Sequence, residues 1–311
     1  MNDHRLPEPF HAGELRAQQL AGGGPAGAPI RSQMPEQHRQ FFPLLRFLCV
    51  ALADDSGWPI ATLLAGEPGF ASSPDPGRLR VAAVPDGDDP AYPHLREGAG
   101  TGMLGIDLAT RRRNRANGRI AQADGEGFVV DVEQSFGNCP KYIRVRQLAR
   151  VERPKGQAER FGAELPEDAL AMLAGCETMF VATAGGEAGG LDISHRGGEA
   201  GFLRLQGSVL TVPDYAGNRY FNTLGNLLVE PRVSLVIPDF GTGDILQLQG
   251  MAKVLWRQDA LDDPRAERAW EFKIVRGWLR RGALPLRDVS QKTRHPREGG
   301  DDVLTKLNVD V

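Results

Sequence analysis

The chain has 311 residues, a formal net charge of −3 at pH 7 and 41% hydrophobic residues. That length accommodates two ordinary domains, each with its own core. The small net charge excludes an overall electrostatic attraction to nucleic acid or to anionic lipid. Any contact with an anion must therefore come from a local group of basic residues.

The sequence predicts a cytoplasmic protein without a membrane segment or a metal site. Its most apolar run, FFPLLRFLCVALA, is too short to span a bilayer and contains Pro43 and Arg46, and the polar start lacks the pattern of a signal peptide. Cys49, Cys139 and Cys176 form no CxxC pair, which suits a reducing compartment. The six histidines are scattered without metal-ligand spacing.

The chain resembles itself at an offset of 132 residues, because AGEPGF at 65–70 is followed by GGEAGF at 197–202. Upstream, FLCVALADDSGWPIATLLAG lies on MFVATAGGEAGGLDISHRGG without a gap. Downstream, GIDLATRRRNRANG lies on IPDFGTGDILQLQG, so that Gly118 meets Gly250. The helix-like segments PEQHRQFF and PEDALAML precede the two copies. These matches predict an internal duplication.

Each copy is expected to contain a helix, about six strands and one short inner helix. After an insertion, FVVDVEQSF fits WEFKIVRGW, and both alternate apolar and polar residues with the period of a strand. Short strands bounded by Gly, Pro and Asp favour antiparallel barrels over a parallel doubly wound sheet. The predicted fold class is therefore mainly β with some helix (α+β), as two tandem β-barrels.

The duplication also predicts how the chain is divided. The expected parts are an N-terminal helical extension (1–30), a first barrel (31–152), a second barrel (166–290) and a tail (291–311), with a linker near Arg153 to Asp168. Two copies of one fold in one chain imply a pseudo-two-fold pairing, in which a dimer interface forms within the chain. A homodimer of whole chains is a further expectation.

The second copy carries more polar residues at strand ends than the first. Leu63 and Leu64 of the first copy become His195 and Arg196 in the second. The stretch PDYAGNRYFNTLGNLLVEP, residues 213–231, predicts a strand end, a turn and a short helix. Asn222 or Thr223 is expected to cap this helix.

The remaining residues of that helix predict its packing and its end. Leu224, Leu227 and Leu228 are expected to form its apolar face, and Pro231 to stop it. Free amides at its N-terminus, beside Arg196 and Arg219, would suit a phosphate group. The alternative is that Asn222 and Thr223 bond only to the local backbone while the arginines face solvent.

A run of basic residues, TRRRNRANG, lies in the first copy. On a strand, Arg111, Arg113 and Arg115 would share one face. Such a run is typical of a solvated face, and the alternative is an anion contact across the boundary between the barrels. Nucleic-acid binding is not expected, since the run lacks interleaved aromatic residues and a larger basic surface.

The segment QSFGNCPKYIRVRQ, residues 134–147, follows a predicted strand of the first copy. Its Asn138, Cys139, Lys141 and Tyr142 are candidates for lining a pocket. Cys139 is not expected to be a nucleophile, because no base can be paired with it from spacing.

These residues resemble the FMN-binding split barrels related to pyridoxamine 5'-phosphate oxidase. The resemblance is strongest in DISHRGGEAGFLRLQGSVLTVPDYAGNRYFNTLGNLLVEPRVSLVIPDF, followed by LQLQGMAKVLW. FHAGELRAQQLAG, GIDLATRRRNRANGRI and VEQSFGNCPKYI resemble the first half of tandem two-barrel members. The oxidase's own substrate motifs, an arginine and lysine strand motif and a C-terminal tryptophan and arginine motif, are not evident, so the resemblance does not extend to vitamin B6 oxidation.

The resemblance implies FMN as cofactor, at the interface between two barrels. The residues that it implies for FMN binding are Ser194, His195, Arg196, Pro213, Asp214, Tyr215, Asn218, Arg219, Asn222, Thr223, Asn226 and Gln249, with Gln247 as the alternative to Gln249. Secondary candidates are Arg111, Arg113 and Lys141. No residue is assigned a catalytic role, because the flavin itself supplies the redox chemistry.

The leading hypothesis is an FMN-dependent oxidoreductase or electron-transfer flavoprotein. Its partners would be a small-molecule substrate or an electron donor such as a nicotinamide cofactor or a reductase. One alternative is a protein that binds flavin or another phosphorylated ligand without turnover. The other is a haem-binding split barrel, for which His195 is the candidate ligand.

Overall fold

The computed structural model describes residues 9–25, 27, 29–256 and 263–290, except for the side chains of residues 187 and 188. The predicted tail, residues 291–311, and the first eight residues of the predicted N-terminal extension lie outside the described residues. The fold is mainly antiparallel β with a smaller helical part, which confirms the predicted fold class. Within the described ranges, no helix is long and apolar enough to cross a membrane.

The first sheet has seven strands. They are β1 (Phe47–Ala53), β2 (Pro59–Ala65), β3 (Ala71–Asp75), β4 (Arg78–Val81), β5 (Gly100–Asp107), β6 (Arg112–Ala123) and β7 (Phe128–Gly137). Their spatial order is β2-β1-β5-β6-β7-β4-β3. Helix α1 (Ala12–Leu20), helix α2 (Glu36–Phe41) and a 3₁₀ turn precede this sheet, and a second 3₁₀ turn, Tyr92–His94, lies between β4 and β5.

Two short strands and a helix follow the first sheet. They are β8 (Leu148–Arg150), β9 (Glu159–Phe161) and α3 (Glu167–Ala174). β9 lies inside the segment predicted as a linker and pairs with the second sheet. Helices α2 and α3 occupy the two segments predicted to be helical, and in both a proline stands at the N-cap and a glutamate opens the first turn.

The second sheet repeats the order of the first. Its elements are β10 (Thr178–Ala184), α4 (Gly186–Gly189), β11 (Leu191–Gly197), β12 (Arg204–Gln206), β13 (Val209–Tyr215), α5 (Asn222–Val229), β14 (Arg232–Pro238), β15 (Ile245–Leu255) and β16 (Ala266–Arg280). The strand order is β11-β10-β14-β15-β16-β13-β12, which matches the first sheet strand for strand. A last strand, β17 (Leu286–Asp288), pairs with β8 in a separate two-stranded sheet.

Both sheets carry a β-bulge at an equivalent glycine. The register of β6 against β7 shifts at Gly118, and that of β15 against β16 shifts at Gly250. A Cβ on Gly118 would lie 1.9 Å from the carbonyl oxygen of Asp131, and one on Gly250 would lie 2.2 Å from that of Lys273. Only glycine therefore fits either bulge, and this shared detail supports the predicted duplication.

The gapless match proposed from sequence is wrong by one residue in the first hairpin. Phe47 pairs with Ala65 in the first sheet, whereas Thr178 pairs with Gly197 in the second. The connection between these strands covers residues 54–58 in the first copy and residues 185–190 in the second. The extra residue lies in the turn that contains α4, and the strands on either side keep equivalent registers.

Alternation along the strands builds three cores. In β1, Leu48 and Val50 point into the first barrel, and Phe47 and Cys49 point toward the second barrel. The second barrel has its own interior core, centred on buried Trp270. Because successive side chains of a strand face opposite sides, β1 and its counterpart β10 each contribute alternate side chains to the interior of one barrel and to the interface between the barrels.

We expect Gly250→Ala to lower the free energy of unfolding by about 1–3 kcal/mol, because its new methyl group overlaps the backbone of β16. Gly125→Ala is the matched control, since a Cβ at that turn meets nothing within 4 Å. The measurement is urea unfolding followed by tryptophan fluorescence. Equal unfolding midpoints for the two variants would contradict the role of the bulge.

Candidate functional site

A cleft opens between the two barrels. First-barrel residues reach it from β6 and from the segment after β7, and second-barrel residues reach it from β11, β13, β16 and the start of α5. Six cationic and two acidic side chains line it: Arg113, Arg115, Lys141, Arg196, Arg219, Arg268, Asp214 and Glu267. The cleft is therefore locally basic in a chain whose net charge is slightly negative.

The structure brings most of the sequence-predicted site residues into this cleft. The lining includes Ser194, His195, Arg196, Pro213, Asp214, Tyr215, Asn218, Arg219, Asn222 and Thr223, together with the secondary candidates Arg113 and Lys141. Asn226, Gln249 and Arg111 lie elsewhere.

Several buried polar atoms of the cleft residues have no hydrogen-bond partner among the described residues. They are Nε of Arg113, Oδ1 of Asn138, Nε2 of His195, Nε of Arg196 and Oγ1 of Thr223. A buried polar group without a hydrogen-bond partner costs free energy, so native proteins contain few of them. Their concentration at one cleft indicates a site for a polar ligand.

Arg115 joins the barrels beneath the cleft and is only 4% exposed. Its guanidinium donates to Asn222 Oδ1 at 2.7 Å and to Ser194 Oγ, and its Nε lies 3.1 Å from Asp192 Oδ1. It also lies over the ring of Phe136, 5.1 Å from the centroid. A first-barrel side chain thus positions two second-barrel residues of the site.

His195 is a neutral hydrogen-bond donor in the wall of the cleft. Arg113 Nη1 donates to its Nδ1 at 3.2 Å, which leaves the proton of the neutral ring on Nε2. Burial, followed by repulsion from Arg113 and Arg196, lowers the pKa of His195 well below its ordinary value. The histidine therefore presents an N–H group rather than a charge.

Asp214 holds two arginines of the second barrel. Arg196 Nη2 lies 3.3 Å from its Oδ1, and Arg268 Nη1 lies 3.3 Å from its Oδ2. Burial raises the pKa of Asp214, although both guanidinium groups act to lower it. Arg268 also lies over the ring of Phe221, 4.8 Å from the centroid. These contacts fix both guanidinium groups at the cleft.

The start of α5 differs from the sequence expectation, and the predicted cap is wrong. The N-cap residue is Phe221, which has a left-handed backbone (φ 60°) and no capping side chain. Asn222 lies inside the helix, where its side chain accepts from Arg115 and donates to Glu14. Thr223, 2% exposed, leaves its hydroxyl unpaired. The helix N-terminus therefore remains available to a ligand.

The apolar face of α5 is also narrower than predicted. Leu224 and Leu227 are buried in the second core, but Leu228 is 39% exposed. Helix α1 covers the neighbouring face, where Gly225 approaches the backbone of Glu14 so closely that a Cβ would lie 2.5 Å from it. The buried faces of α5 are thus formed by Leu224, Leu227 and Gly225, and Leu228 lies outside them.

Four predicted residues differ from the others, because they lie outside the cleft or bond to other parts of the chain. Asn226 bonds to His11 at 2.7 Å and to Thr183 at 2.9 Å, beneath α1. Gln249 donates to the carbonyl of Pro59 at 2.7 Å within the interface between barrels. Arg219 lines the cleft but donates to the carbonyls of Ala21 and Gly23 at the end of α1, and Arg111 is exposed in the turn before β6.

The rim of the cleft is aromatic. The rings of Tyr142 and Tyr215 lie 5.1 Å apart with an interplanar angle of 33°. Tyr142 donates to the carbonyl of Ala216 at 3.0 Å, and Tyr215 donates to Asp263 at 2.8 Å. Cys139, Lys141 and Asn138 continue this rim on the first-barrel side.

Sequence reasoning did not single out two important groups. Arg268 is an isolated arginine in β16, and no spacing pointed to it. Glu14 accepts from Asn222, and burial raises its pKa, but its FHAGE segment was noted only as part of a family resemblance. Among the described residues, no group of three or more His, Cys, Asp or Glu is arranged to hold a metal ion.

No family model and no curated protein matches the chain. Among solved structures, HupZ of Group A Streptococcus is similar over 35% of this chain and 90% of its own, with 10% identity and a TM-score of 0.29. A proposed pyridoxamine 5'-phosphate oxidase of Lactobacillus delbrueckii matches 34% of this chain and 95% of its own, with 16% identity and a TM-score of 0.27. The similarity to MotI of Bacillus subtilis covers 78% of this chain and 89% of MotI, with 11% identity and a TM-score of 0.22.

We expect His195 to weaken folding as the pH falls. Below the ordinary histidine pKa of about 6.5, the unfolded chain binds a proton at this position and the folded chain does not, so the free energy of unfolding decreases. His195→Asn removes that difference. Urea unfolding at pH 7.5 and pH 5.5 should show a smaller loss in the variant, and an equal loss would contradict the neutral assignment.

Proposed function

We propose that the chain is an FMN-binding flavoprotein and that the cleft between its barrels holds the cofactor. The observation that carries the proposal is the group of buried, unpaired hydrogen-bond donors at this cleft: Arg113 Nε, Arg196 Nε, His195 Nε2 and the Thr223 hydroxyl. All four can donate to an anion, and two of them belong to guanidinium groups. A phosphate group matches this set in charge and in hydrogen bonding.

The electrostatics of the cleft also fit an anionic ligand. Burial, together with repulsion from Arg115 and Arg196, lowers the pKa of Arg113 to about 10. Its positive charge is therefore incompletely compensated by the protein. A phosphate beside Arg113 and the uncapped start of α5 would supply the missing negative charge.

The cofactor's ring is assigned to the aromatic rim. Tyr142 and Tyr215 offer a planar, partly apolar surface next to the basic end of the cleft. The sequence resemblance to FMN-binding split barrels supports a flavin over other phosphorylated ligands. Bound FMN would supply hydride or electron transfer, while the chain's own residues bind it, neutralise its phosphate and limit access to its ring.

The proposed activity is that of an oxidoreductase or an electron-transfer protein with two split-barrel domains arising from a duplication. A nicotinamide cofactor or a reductase would be the electron donor. The alternative is a protein that binds flavin or another phosphorylated ligand without turnover. Stopped-flow mixing with NADH or NADPH distinguishes the two, because rapid bleaching followed by reoxidation in air supports the enzyme.

A haem-binding function is less well supported by the geometry of His195. Axial coordination through Nε2 requires its lone pair, but the bond from Arg113 to Nδ1 places the ring proton on Nε2. Coordination would require the tautomer to change and that bond to break. A Soret band that is lost in His195→Ala would favour haem over flavin.

The direct experiment is the visible spectrum of the purified protein before and after addition of FMN. Flavin absorption bands that remain after gel filtration support the proposal. A colourless protein that gains no flavin bands and does not quench FMN fluorescence would contradict it.

We expect Arg196→Ala to weaken FMN binding by roughly 1.5 to 3 kcal/mol, since a charge-assisted hydrogen bond to phosphate is lost. Arg111→Ala is the matched control, because this arginine is exposed and lies outside the cleft. Both dissociation constants can be measured by quenching of flavin fluorescence. Unchanged affinity in Arg196→Ala would assign Arg196 to structural pairing with Asp214 alone.

A further inference from the structure

The matching strand registers define a first-barrel counterpart of the cleft. They relate Thr62 to Ser194, Gln247 to Arg115, and Arg280 to Asn138. Each location therefore brings together one hydroxyl, one carboxamide and one guanidinium, although the last two have exchanged strands. The counterpart lies on the other side of the interface between the barrels, where β2 meets β15 and β16.

A carboxylate of the chain itself occupies this counterpart. Asp89, 2% exposed, lies in the segment between β4 and β5. Its Oδ2 accepts from Thr62 Oγ1 at 2.5 Å and from Arg280 Nη1 at 2.6 Å. Its Oδ1 accepts from Gln247 Nε2 at 3.1 Å and from the Ala91 amide at 2.9 Å. Both oxygens are thus saturated by donors from both barrels.

The two locations differ in how many of the matched side chains a carboxylate of the chain engages. At the cleft, Asp192 lies 3.1 Å from Arg115 Nε and accepts from Ser194 Oγ at 3.1 Å. The Oδ1 of Asn138 has no partner, and donor atoms of Arg113, Arg196 and Thr223 beside it are also unpaired.

At the counterpart, Asp89 accepts from all three matched side chains, although Arg280 Nε and Gln247 Oε1 have no partner. The guanidinium of Arg280 is 4% exposed and is shared between Asp89 and Asp86. A buried guanidinium without such a carboxylate would carry a large desolvation cost.

We propose that the counterpart is an anion site closed by Asp89, so that each chain has one open anion site and one filled by its own carboxylate. The anion that Asp89 replaces is of the carboxylate or phosphate class, since Thr62, Gln247 and Arg280 together present hydroxyl, amide and guanidinium donors. Removal of the Asp89 carboxylate opens a second anion site around Arg280. This inference does not depend on the identity of the ligand in the open cleft.

Anion rescue of Asp89→Ala tests the proposal. In sodium chloride, the variant should unfold several degrees below the wild type, because Arg280 loses its buried partner. Replacing chloride with sodium formate or sodium phosphate at equal ionic strength should raise its melting temperature saturably, by about 3 °C more than that of the wild type. An equal rise in both proteins overturns the proposal.

Two further variants isolate the site. In Asp89→Ala with Arg280→Met, the extra rise should vanish because the guanidinium is gone. Asp131→Ala removes the carboxylate of an exposed pair with Arg78, and it should show no excess rise. If Asp89→Ala does not fold in chloride, formate or phosphate should restore its native tryptophan fluorescence, and no recovery in either anion would overturn the proposal.

The stoichiometry of FMN gives a second, separate measurement. Wild-type protein should bind one FMN per chain, and two equivalent FMN molecules per chain would overturn the closed site. If the wild type binds no FMN, the proposed function fails, while the anion rescue of Asp89→Ala still decides whether the counterpart is a closed anion site.

Discussion

The site depends on one buried guanidinium, that of Arg115, which crosses from the first barrel into the second. It contacts Ser194 on β11, Asn222 on α5 and Asp192 beside them. Through Asn222 the same network continues to Glu14 on α1. Removing a charged group from water is costly unless each of its donors finds an acceptor. The relative position of the barrels is thus tied to the shape of the cleft.

Joining the barrels in one chain allows the two halves of this interface to differ. In a homodimer, a two-fold axis would make both locations identical. Here the first barrel has Leu63 and Leu64 where the second has His195 and Arg196. The apolar pair belongs to buried cores, whereas the polar pair lines the cleft. One half of the interface therefore contributes stability, and the other provides a polar, basic site.

Local pattern accounts for the parts of the fold that the sequence predicted well. Period-2 alternation located β7 and β16, and the sequence match paired Gly118 with Gly250, which the structure places at equivalent β-bulges. Turn residues bounded most of the strands. The hairpin that contains α4 was misaligned because sequence similarity alone does not reveal an inserted residue in a glycine-rich turn.

The contacts of the site were harder to predict, since they depend on which barrel faces which. Asn222 is of a residue type that favours the N-cap position. Its side chain instead accepts from Arg115 and donates to Glu14, which both come from distant parts of the sequence. The family resemblance implied Gln249 as a cofactor ligand, yet its side chain donates to the backbone carbonyl of Pro59. Arg115 was visible only as one member of a charged run. Partners that are remote in sequence decide the role of each of these side chains.

The small sheet of β8 and β17 has a consequence for the persistence of the cleft. β8 follows the first barrel, β17 follows the second, and Leu286 pairs with Arg150 between them. This sheet adds a second, hydrogen-bonded connection between the barrels to the covalent one. Because both barrels belong to one chain, each is held at a high effective concentration relative to the other. Dilution, which dissociates a dimer of separate chains, leaves this pairing intact, so the cleft should keep its shape at any cellular abundance of the protein.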